Sequence, residues 1–340
     1  MSIKRKIKMP SMDTGHIQGI AVDAERKYIY ASFTTAFLKL DMNGNIIGSV
    51  TGLCGHLGCI AYSYDDGRVY GSLEYKHDVI GKKILERVSG QQNLDIDVED
   101  GFYVVSFDVD KIDRIGMDAE ADGVMTAVYL SEVTDDFNAE GHRYGCSGID
   151  GVTFAPIPGD SGKKYLYVAY GIYGDNERED NDCQVILRYD TDEFSLHASP
   201  LNQKKMHRNG PQKPESKYFV YTGNTTWGVQ NLEYDEKNAQ MLLAVYCGKK
   251  KQFPNYPLFF LDMKESAKLN GGKEYLSLKK VGKEHIASGI WGSDFPYGST
   301  GVISLGADKF YFSVPSENDG LWSAEIALYG YEGNGEFSPL

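Results

Sequence analysis

Short apolar segments alternate with polar turns along the whole chain, and the pattern recurs five times. Each recurrence opens on a four-residue phrase that leads into a short apolar stretch, which predicts a buried β-strand. The phrases lie at residues 16–19, 56–59, 148–151, 228–231 and 298–301. An aromatic and β-branched stretch then predicts a second strand, and a third strand returns and, in four of the five recurrences, finishes on Asp. Repetition of this kind indicates a propeller or a solenoid.

The same alignment predicts the position of each strand within a recurrence. Innermost strands are expected at residues 19–23, 59–62, 151–154, 231–234 and 301–304. Second strands follow at residues 28–32, 69–72, 165–168, 242–245 and 310–313. Outer strands are expected at residues 46–50, 126–130 and 274–278, with 194–196 and 218–221 as alternatives in the third unit. Residues 3–9 are expected to supply the outer strand of the last unit and so to close the ring, which would remove an exposed sheet edge.

Composition favours one closed all-β body. The chain has 340 residues, of which 41% are hydrophobic and 24% charged, and no Pro/Ser-rich linker divides it. We therefore predict a single domain over residues 1–340, built from units 11–52, 53–143, 144–223, 224–290 and 291–340 plus the N-terminal strand 3–9. Two insertions interrupt the pattern: apolar residues at helical spacing predict a short helix over 79–89, and three prolines predict a surface loop over 199–216.

Charge and cysteine content limit the kinds of binding partner and the cellular compartment that we expect for the protein. The formal net charge of −13 argues against a nucleic-acid partner, because phosphate binding needs clustered Lys and Arg. No apolar run is long enough to span a membrane, and the basic N-terminus lacks the apolar stretch of a signal peptide. Five cysteines without tight pairing fit reduced thiols, so we expect a cytoplasmic protein. Oligomeric state stays open.

Ligands of propellers sit at the axis, on loops that lead into the inner strands or join the second strands to the third. On these loops the acid–base candidates are Glu74, Asp150 and Asp175. The candidates for substrate contact are His16, Gln18, His56, Tyr75, Tyr173, Trp227, Gln230 and Thr300. Asp150 either faces the axis as a base or cation ligand, or caps the turn after Gly148.

His16 and His56 occupy the same aligned position in adjacent units. They are predicted to form an acid–base pair or to hold a divalent cation at the axis, the one cofactor that the sequence suggests; the alternative is two imidazoles bonded to turn backbone. Acidic segments at residues 95–101 and 175–182 lack the EF-hand spacing and are interpreted as solvated loops. Cys54, Cys59 and Cys146 match no zinc spacing. Phosphate-loop, dinucleotide, zinc-protease and serine-hydrolase motifs do not occur in the sequence.

The five phrases make the whole chain resemble a five-bladed β-propeller. Residues 55–60 (GHLGCI) and 72–76 (SLEYK) are also similar to a group of uncharacterised bacterial propeller proteins. Other five-bladed propellers include arabinanase-like glycoside hydrolases, which place three carboxylates on inner strands around the axis. Only Asp150 matches that pattern here, since Gln18 and Gln230 stand where carboxylates could be expected. The resemblance implies the fold, and a carbohydrate substrate follows from it by analogy alone.

Three functional hypotheses remain at this level. The first is a propeller whose polar axial pocket binds or acts on a carbohydrate-like small molecule, as a glycoside hydrolase does, with paired carboxylates about 5 to 10 Å apart. The second is a non-catalytic propeller that binds a ligand or a protein, which predicts a flat or plugged axial face. The third is a metal-dependent hydrolase or lyase with its metal beside His16 and His56.

Overall fold

The computed structural model describes residues 3–92 and 99–340, and its sheets form five blades around a central axis. Each blade begins with an inner strand at the axis, and the next strands pair outward from it in antiparallel order. The inner strand of every blade contacts the inner strands of both neighbouring blades. The predicted all-β, five-bladed propeller is therefore confirmed.

Within the described residues, ten strands and one helix lie between Lys6 and Tyr129. The first of these strands belongs to the fifth blade, and the other nine form the first two blades. The strands are β1 (Lys6–Lys8), β2 (Ile17–Val22), β3 (Tyr28–Phe33), β4 (Ala36–Asp41), β5 (Ile46–Thr51), β6 (His56–Tyr62), β7 (Val69–Tyr75), β8 (Gly101–Phe107), β9 (Met117–Asp118) and β10 (Met125–Tyr129). Strands β2 to β5 make the first blade, to which β9 adds in parallel, and β6, β7, β8 and β10 make the second. Helix α1 (Val79–Gln92) covers the segment where a helix was predicted.

The remaining three blades use fifteen strands, and two helices and one 3-10 turn connect them. The strands are β11 (Cys146–Ala155), β12 (Tyr165–Ile172), β13 (Cys183–Tyr189), β14 (Ser216–Tyr221), β15 (Thr226–Asp235), β16 (Gln240–Tyr246), β17 (Leu258–Asp262), β18 (Lys268–Asn270), β19 (Lys273–Tyr275), β20 (Lys283–His285), β21 (Ile290–Gly292), β22 (Val302–Ser304), β23 (Lys309–Asn318), β24 (Leu321–Tyr331) and β25 (Phe337–Pro339). The helices are α2 (Ser131–Asn138) and α3 (Thr191–Ser195), and the 3-10 turn is Arg143–Gly145.

The observed strand pairing tests the outer strands predicted for the third and fourth blades. In the third blade the outer strand is β14, and residues 194–196 lie at the end of α3 instead. The strand predicted at 274–278 for the fourth blade pairs as β19 with β14 of the third blade, so that prediction was wrong. Tyr275 packs against Phe219 there, with ring centroids 5.8 Å apart, and only a single bridge from Leu278 to Leu261 reaches the fourth blade.

The N-terminal strand pairs as predicted with the last blade. Strand β1 runs antiparallel to β24, with Ile7 opposite Ile326. Ile7 is buried in the apolar cluster between the fifth and first blades, so the start of the chain is anchored by packing as well as by backbone hydrogen bonds. That this pairing closes the ring remains a prediction, as do the unit boundaries.

An apolar cluster fills each of the five spaces between neighbouring blades. Strand side chains alternate between the two faces of a blade, so every blade contributes to two clusters. Between the first and second blades, for example, Phe37 stacks on Phe107 with ring centroids 4.3 Å apart. Because both faces of each blade are buried, the central strands are apolar throughout rather than alternating with polar positions.

The opening phrase of each repeat has a structural meaning at its third position. In four inner strands the pairing with the second strand shifts by one residue around this position. The residues left out of the pairing are Gln18, Gly58 and Cys59, Asp150 and Gly151, and Gln230. A bulge of this kind re-aims a side chain out of the regular sheet. The side chains of Gln18, Asp150 and Gln230 all line a cavity at the axis.

Candidate functional site

A cavity of about 360 Å³ lies at the end of the axis where the inner strands begin. Seven of the residues singled out from the sequence line it: His16, Gln18, His56, Glu74, Asp150, Trp227 and Gln230. Polar side chains line the cavity together with the indole rings of Trp227 and Trp322. The axial face on this side is therefore open rather than plugged.

His56 and Glu74 lie directly opposite each other on the paired strands β6 and β7. The imidazole Nδ1 of His56 is 3.3 Å from Oε1 of Glu74 and donates a hydrogen bond to it. Burial disfavours the imidazolium, but this bond and the charges of Asp150 and Glu74 outweigh it and raise the pKa of His56 above its ordinary value. The two carboxyl groups thus favour the protonated form of His56.

Glu74 is buried, and both of its carboxylate oxygens are occupied. Oε1 also lies 2.5 Å from the Nζ of Lys76, and Oε2 accepts the backbone N–H of Ile149 at 3.0 Å. Burial opposes the ionised form, but Lys76 and His56 outweigh it, so the pKa of Glu74 is lowered. The Nζ of Lys76 also donates to the carbonyl of Ser147 at 2.8 Å. Glu74 thus positions His56 and the third blade instead of standing free.

Asp150 is the carboxyl that remains available to a ligand. Its Oδ2 accepts a hydrogen bond from the Gln230 amide at 3.1 Å, and its Oδ1 lies 3.8 Å from Nδ1 of His56. Burial raises the pKa of Asp150 to about 7; the His56 charge opposes this rise and the Glu74 charge adds to it. A carboxyl group with this pKa can both give and take a proton near neutral pH.

Glycines supply the space that these carboxyl groups need. Gly148 has a backbone φ of +125°, a conformation that side-chain-bearing residues rarely adopt, and a Cβ there would overlap Oε2 of Glu74. Gly58, at the bulge of the second blade, has no side chain to project toward the axis, and Asp150 occupies that space. The phrase position that carries Gln, Asp or Thr in the other blades therefore has no side chain in the second.

His16 has the opposite electrostatic character to His56. Its Nδ1 donates to the carbonyl of Ile17 at 2.7 Å, which leaves Nε2 as an acceptor, 3.4 Å from the Gln18 amide. Burial, assisted by the charge of His56, lowers the pKa of His16 below its ordinary value. The surroundings of the two imidazoles thus shift their pKa values in opposite directions.

Four predicted residues lie outside the cavity lining. Asp175 is on an exposed loop, where Oδ1 accepts the backbone N–H of Glu177. Tyr75 is buried in the apolar cluster between the first two blades, and its hydroxyl donates to Gln203. Thr300 is buried and donates to the carbonyl of Ser313. Tyr173 is half-buried beside the cavity, since its ring meets the cavity residue Trp227 edge-on at 5.8 Å.

Metal binding was one hypothesis for this face. Among residues 3–92 and 99–340, no group of three or more His, Cys, Asp or Glu side chains is placed to hold a metal ion. Residues 95–98 of the first acidic segment lie outside the described residues. In the second acidic segment Asp180 is paired with Arg178, and Asp182 with Lys250. Within the described chain, no helix has the length and apolar character needed to cross a membrane.

Sequence analysis did not select Lys76, Ser147, Tyr246 or Trp322 as site residues, and all four line the cavity. Lys76 ends the phrase at 72–76, so its proximity to Glu74 was a usable signal. Tyr246 ends β16, and burial together with the charge of Asp150 raises its pKa to about 12. Trp322 belongs to the fifth blade and contacts His16 edge-on at 5.5 Å, a contact that no local pattern announces.

Comparisons with known proteins add little to this geometry. No protein-family model matches the sequence, and no curated protein matches it. Among solved structures the chain is similar to the PQQ domain of pyranose dehydrogenase from Coprinopsis cinerea, with 12% identity over 91% of this chain and 81% of that one, at a TM-score of 0.40. It is also similar to a GH43_1 enzyme from Xanthomonas citri complexed with xylose, with 10% identity over 99% and 94% of the two chains, at a TM-score of 0.44.

A third similar structure is PorZ, a bacterial surface component of the type-IX secretion system of Porphyromonas gingivalis. Its identity to this chain is 11%, over 94% of this chain and 33% of that one, with a TM-score of 0.37. Similarity at these levels does not bear on the site. The class of protein, a five-bladed β-propeller, rests on the sheet pairing and on the contacts between inner strands.

Proposed function

We propose that the axial cavity binds a carbohydrate-like small molecule, on which Asp150 acts as a general acid and His16 as a general base. The observation that carries this proposal is the Asp150 carboxyl, which is held by Gln230, faces His56 and has its pKa raised to about 7. Groups whose surroundings push their pKa values toward neutrality are candidates for proton transfer.

The cavity lining suits a ligand that carries hydroxyl groups on an apolar ring. Its volume of about 360 Å³ falls in the range of small-molecule sites. Amide, imidazole and carboxyl groups offer both donors and acceptors, and two indole rings supply flat apolar surface. A monosaccharide presents alternating hydroxyl and C–H faces, which match this mixture.

The charges and contacts of these side chains indicate a different role for each of them. Glu74 has both oxygens engaged by Lys76, His56 and Ile149, so we assign it to positioning. Asp150 in its protonated form can donate to a glycosidic or hydroxyl oxygen. His16, which is neutral because its pKa is lowered, can accept a proton through Nε2. Asp175, on its exposed loop, has no part in this scheme.

A sugar and glycoside panel tests the proposal. Tryptophan fluorescence titrations with neutral pentoses and hexoses measure binding, because Trp227 and Trp322 line the cavity. Hydrolysis of the corresponding p-nitrophenyl glycosides measures turnover. We expect Asp150→Asn to lower turnover at least about 100-fold while sugar binding persists, and Asp175→Asn to match the wild type.

Each result decides part of the proposal. If sugars bind and no glycoside is turned over, the acid–base assignment fails and the cavity is a binding site alone. If turnover survives unchanged in Asp150→Asn and in Glu74→Gln, neither carboxyl is catalytic. If no sugar changes the fluorescence, the ligand class itself is wrong.

A further inference from the structure

A second cavity, of about 590 Å³, lies at the opposite end of the axis. It is formed where the five inner strands finish, and it includes Val22, Tyr62, Phe154, Tyr234 and Ser304. It shares no lining residue with the candidate site described above. A binding event here is therefore separable from the chemistry around Asp150.

One carboxylate interrupts the repeat at this end. Three residues after the third position of each opening phrase, the five inner strands carry Ala21, Ala61, Thr153, Glu233 and Ile303. The paired residue on the second strand is a tyrosine in four blades, but it is Leu242 opposite Glu233. Apolar or small residues serve the packing at the other four positions. Blade packing therefore does not require a carboxylate at residue 233.

Glu233 has little within the protein to compensate its charge. Its Oε1 accepts the backbone N–H of Ser304 at 2.8 Å. In the described ranges 3–92 and 99–340, no ion pair includes Glu233. Burial raises its pKa to about 8; the Ser304 bond opposes this, Asp235 adds to it and Lys164 opposes it. An uncompensated carboxyl at a cavity wall costs folding free energy, which a bound cation would recover.

Three of the four basic residues that line the cavity have acidic partners, and the fourth, Arg26, donates to the carbonyl of Leu305. Lys163 is bonded to Asp190 at 2.7 Å, Lys164 lies 3.2 Å from Glu236, and Lys237 is bonded to Asp308. The partner of Lys164 is Glu236, although its Nζ also lies 5.7 Å from the ring centroid of Tyr64. Glu233 is not among the acidic partners of these lysines.

Aromatic rings complete the wall. Tyr62, Tyr64 and Tyr234 line the cavity, and Tyr62 and Tyr64 meet edge to face with ring centroids 5.2 Å apart. Faces of aromatic rings attract cations, and most strongly where water is excluded. A divalent metal would need several oxygen ligands at once, whereas one carboxylate with aromatic neighbours is the recognition pattern of an organic ammonium group.

We propose that this second cavity binds a small organic ammonium compound, with the Glu233 carboxylate as its counter-ion and the tyrosine rings as its walls. The ligand's positive charge stabilises the ionised carboxylate, so binding below the pKa of Glu233 releases a proton. Binding therefore tightens as pH rises toward about 8, by about tenfold per pH unit if one proton is linked. The other charged or titratable groups around the cavity are Asp23, Arg26, Tyr64, Asp65, Lys163, Lys164, Asp235, Glu236 and Lys237.

Calorimetry with benzylammonium and tetramethylammonium as probes tests the proposal on the whole protein. Titrations at pH 6 and pH 7, each in two buffers of different ionisation enthalpy, report both affinity and proton release. We expect release of close to one proton per probe and about tenfold tighter binding at the higher pH. Glu233→Gln keeps an acceptor for the Ser304 N–H and should lose both binding and proton release.

Two further variants keep the outcome clear. Glu233→Ala reproduces the residue of the first two blades, and it should fold and fail to bind. Asp65→Asn removes an exposed carboxylate from the lining of the same cavity and should bind as the wild type does. Equal binding to wild type and Glu233→Gln, or no binding of either probe to the wild type, would overturn the proposal. Neither result touches Asp150, since the two cavities share no residue.

Discussion

A Cβ atom on Gly58 would lie 2.4 Å from Oγ of Ser72 and 2.7 Å from Oδ1 of Asp150, so these two side chains, one of them from the third blade, occupy the space of a missing side chain in the second. Gly58 and Asp150 both sit at the bulged position of their inner strands. The approach of Asp150 to His56 thus depends on the absence of a side chain at Gly58.

Gly58→Ala should therefore disturb the site without touching a catalytic candidate. The added methyl group must displace the Ser72 hydroxyl and the Asp150 carboxyl or strain the strand, so we expect a loss of about 1–3 kcal/mol in the free energy of unfolding. The pKa of His56 should fall, since the Asp150 charge helps to raise it. Denaturant unfolding and NMR titration of the imidazole measure both effects. Gly162→Ala is the control, because a Cβ there would meet nothing closer than 3.6 Å; equal behaviour of the two variants would contradict the prediction.

Removing the charge of Glu74 should have two measurable consequences. Glu74→Gln removes the nearer carboxylate from the buried Lys76 and leaves Asp78 at 3.7 Å from its Nζ, so we expect a loss of at most the about 3–5 kcal/mol that breaking a buried pair costs. The pKa of His56 should drop, because burial then opposes the imidazolium with less compensation. Thermal unfolding and imidazole titration test this, with Asp175→Asn as the exposed-carboxylate control. Partial recovery of stability in Glu74→Gln with Lys76→Met would identify the Lys76 ammonium as the cause; a neutral Glu74→Gln would refute the account.

Asp150 should make stability fall as pH rises. Its pKa is about 7 in the folded protein and about 4 in the unfolded chain, so between those values the folded state binds more protons. Stability contributed by the neutral carboxyl is fully present below about pH 4 and is lost by about pH 7. Asp150→Asn should thus be more stable than the wild type at pH 8, by up to about 4 kcal/mol, and similar to it at pH 4. Urea unfolding of both proteins across this range measures the difference; parallel pH profiles would rule the assignment out.

The cysteines should differ sharply in reactivity. Cys59 and Cys146 are buried, and burial raises the pKa of each thiol to about 12, whereas Cys247 is exposed. Since the thiolate is the reactive form, iodoacetamide should label Cys247 first and reach Cys59 and Cys146 only on unfolding. Mass spectrometry of digests from timed reactions gives the order. Labelling of all five thiols in denaturant is the control, and rapid modification of Cys59 in the native protein would contradict the burial.

The contact between His56 and Glu74 shows why a site is harder to predict than a fold. Both residues were selected from the sequence, because both lie at the strand ends that face the axis. Tyr62 pairs with Val69 at the other end of these strands. If the pairing continued from there without a shift, His56 would lie opposite Tyr75. The bulge after Leu57 moves Glu74 opposite His56 instead. A one-residue shift exchanges the faces of a strand, and hairpin patterning alone does not reveal it.

The misassigned strand at 274–278 has a related cause. Its composition suits an edge strand, but edge strands are selected by whichever neighbour offers free backbone groups. Here β14 of the third blade offers them, and Tyr275 packs on Phe219. Asp175 illustrates the converse: its loop was correctly aligned with the site-bearing loops, yet its carboxylate serves the turn at Glu177 and stays exposed.

By itself the sequence determined the number of blades, the inner strands and seven of the residues that line the axial cavity, because periodic patterns and turn residues are local properties of the chain. Only the tertiary structure decided that Glu74 is bound by Lys76 and that Asp150 reaches His56 through the gap at Gly58. It alone also revealed a second cavity with Glu233 in its wall. Burial, register shifts and charge compensation arise between segments distant in sequence, and they set the pKa values on which any chemistry depends.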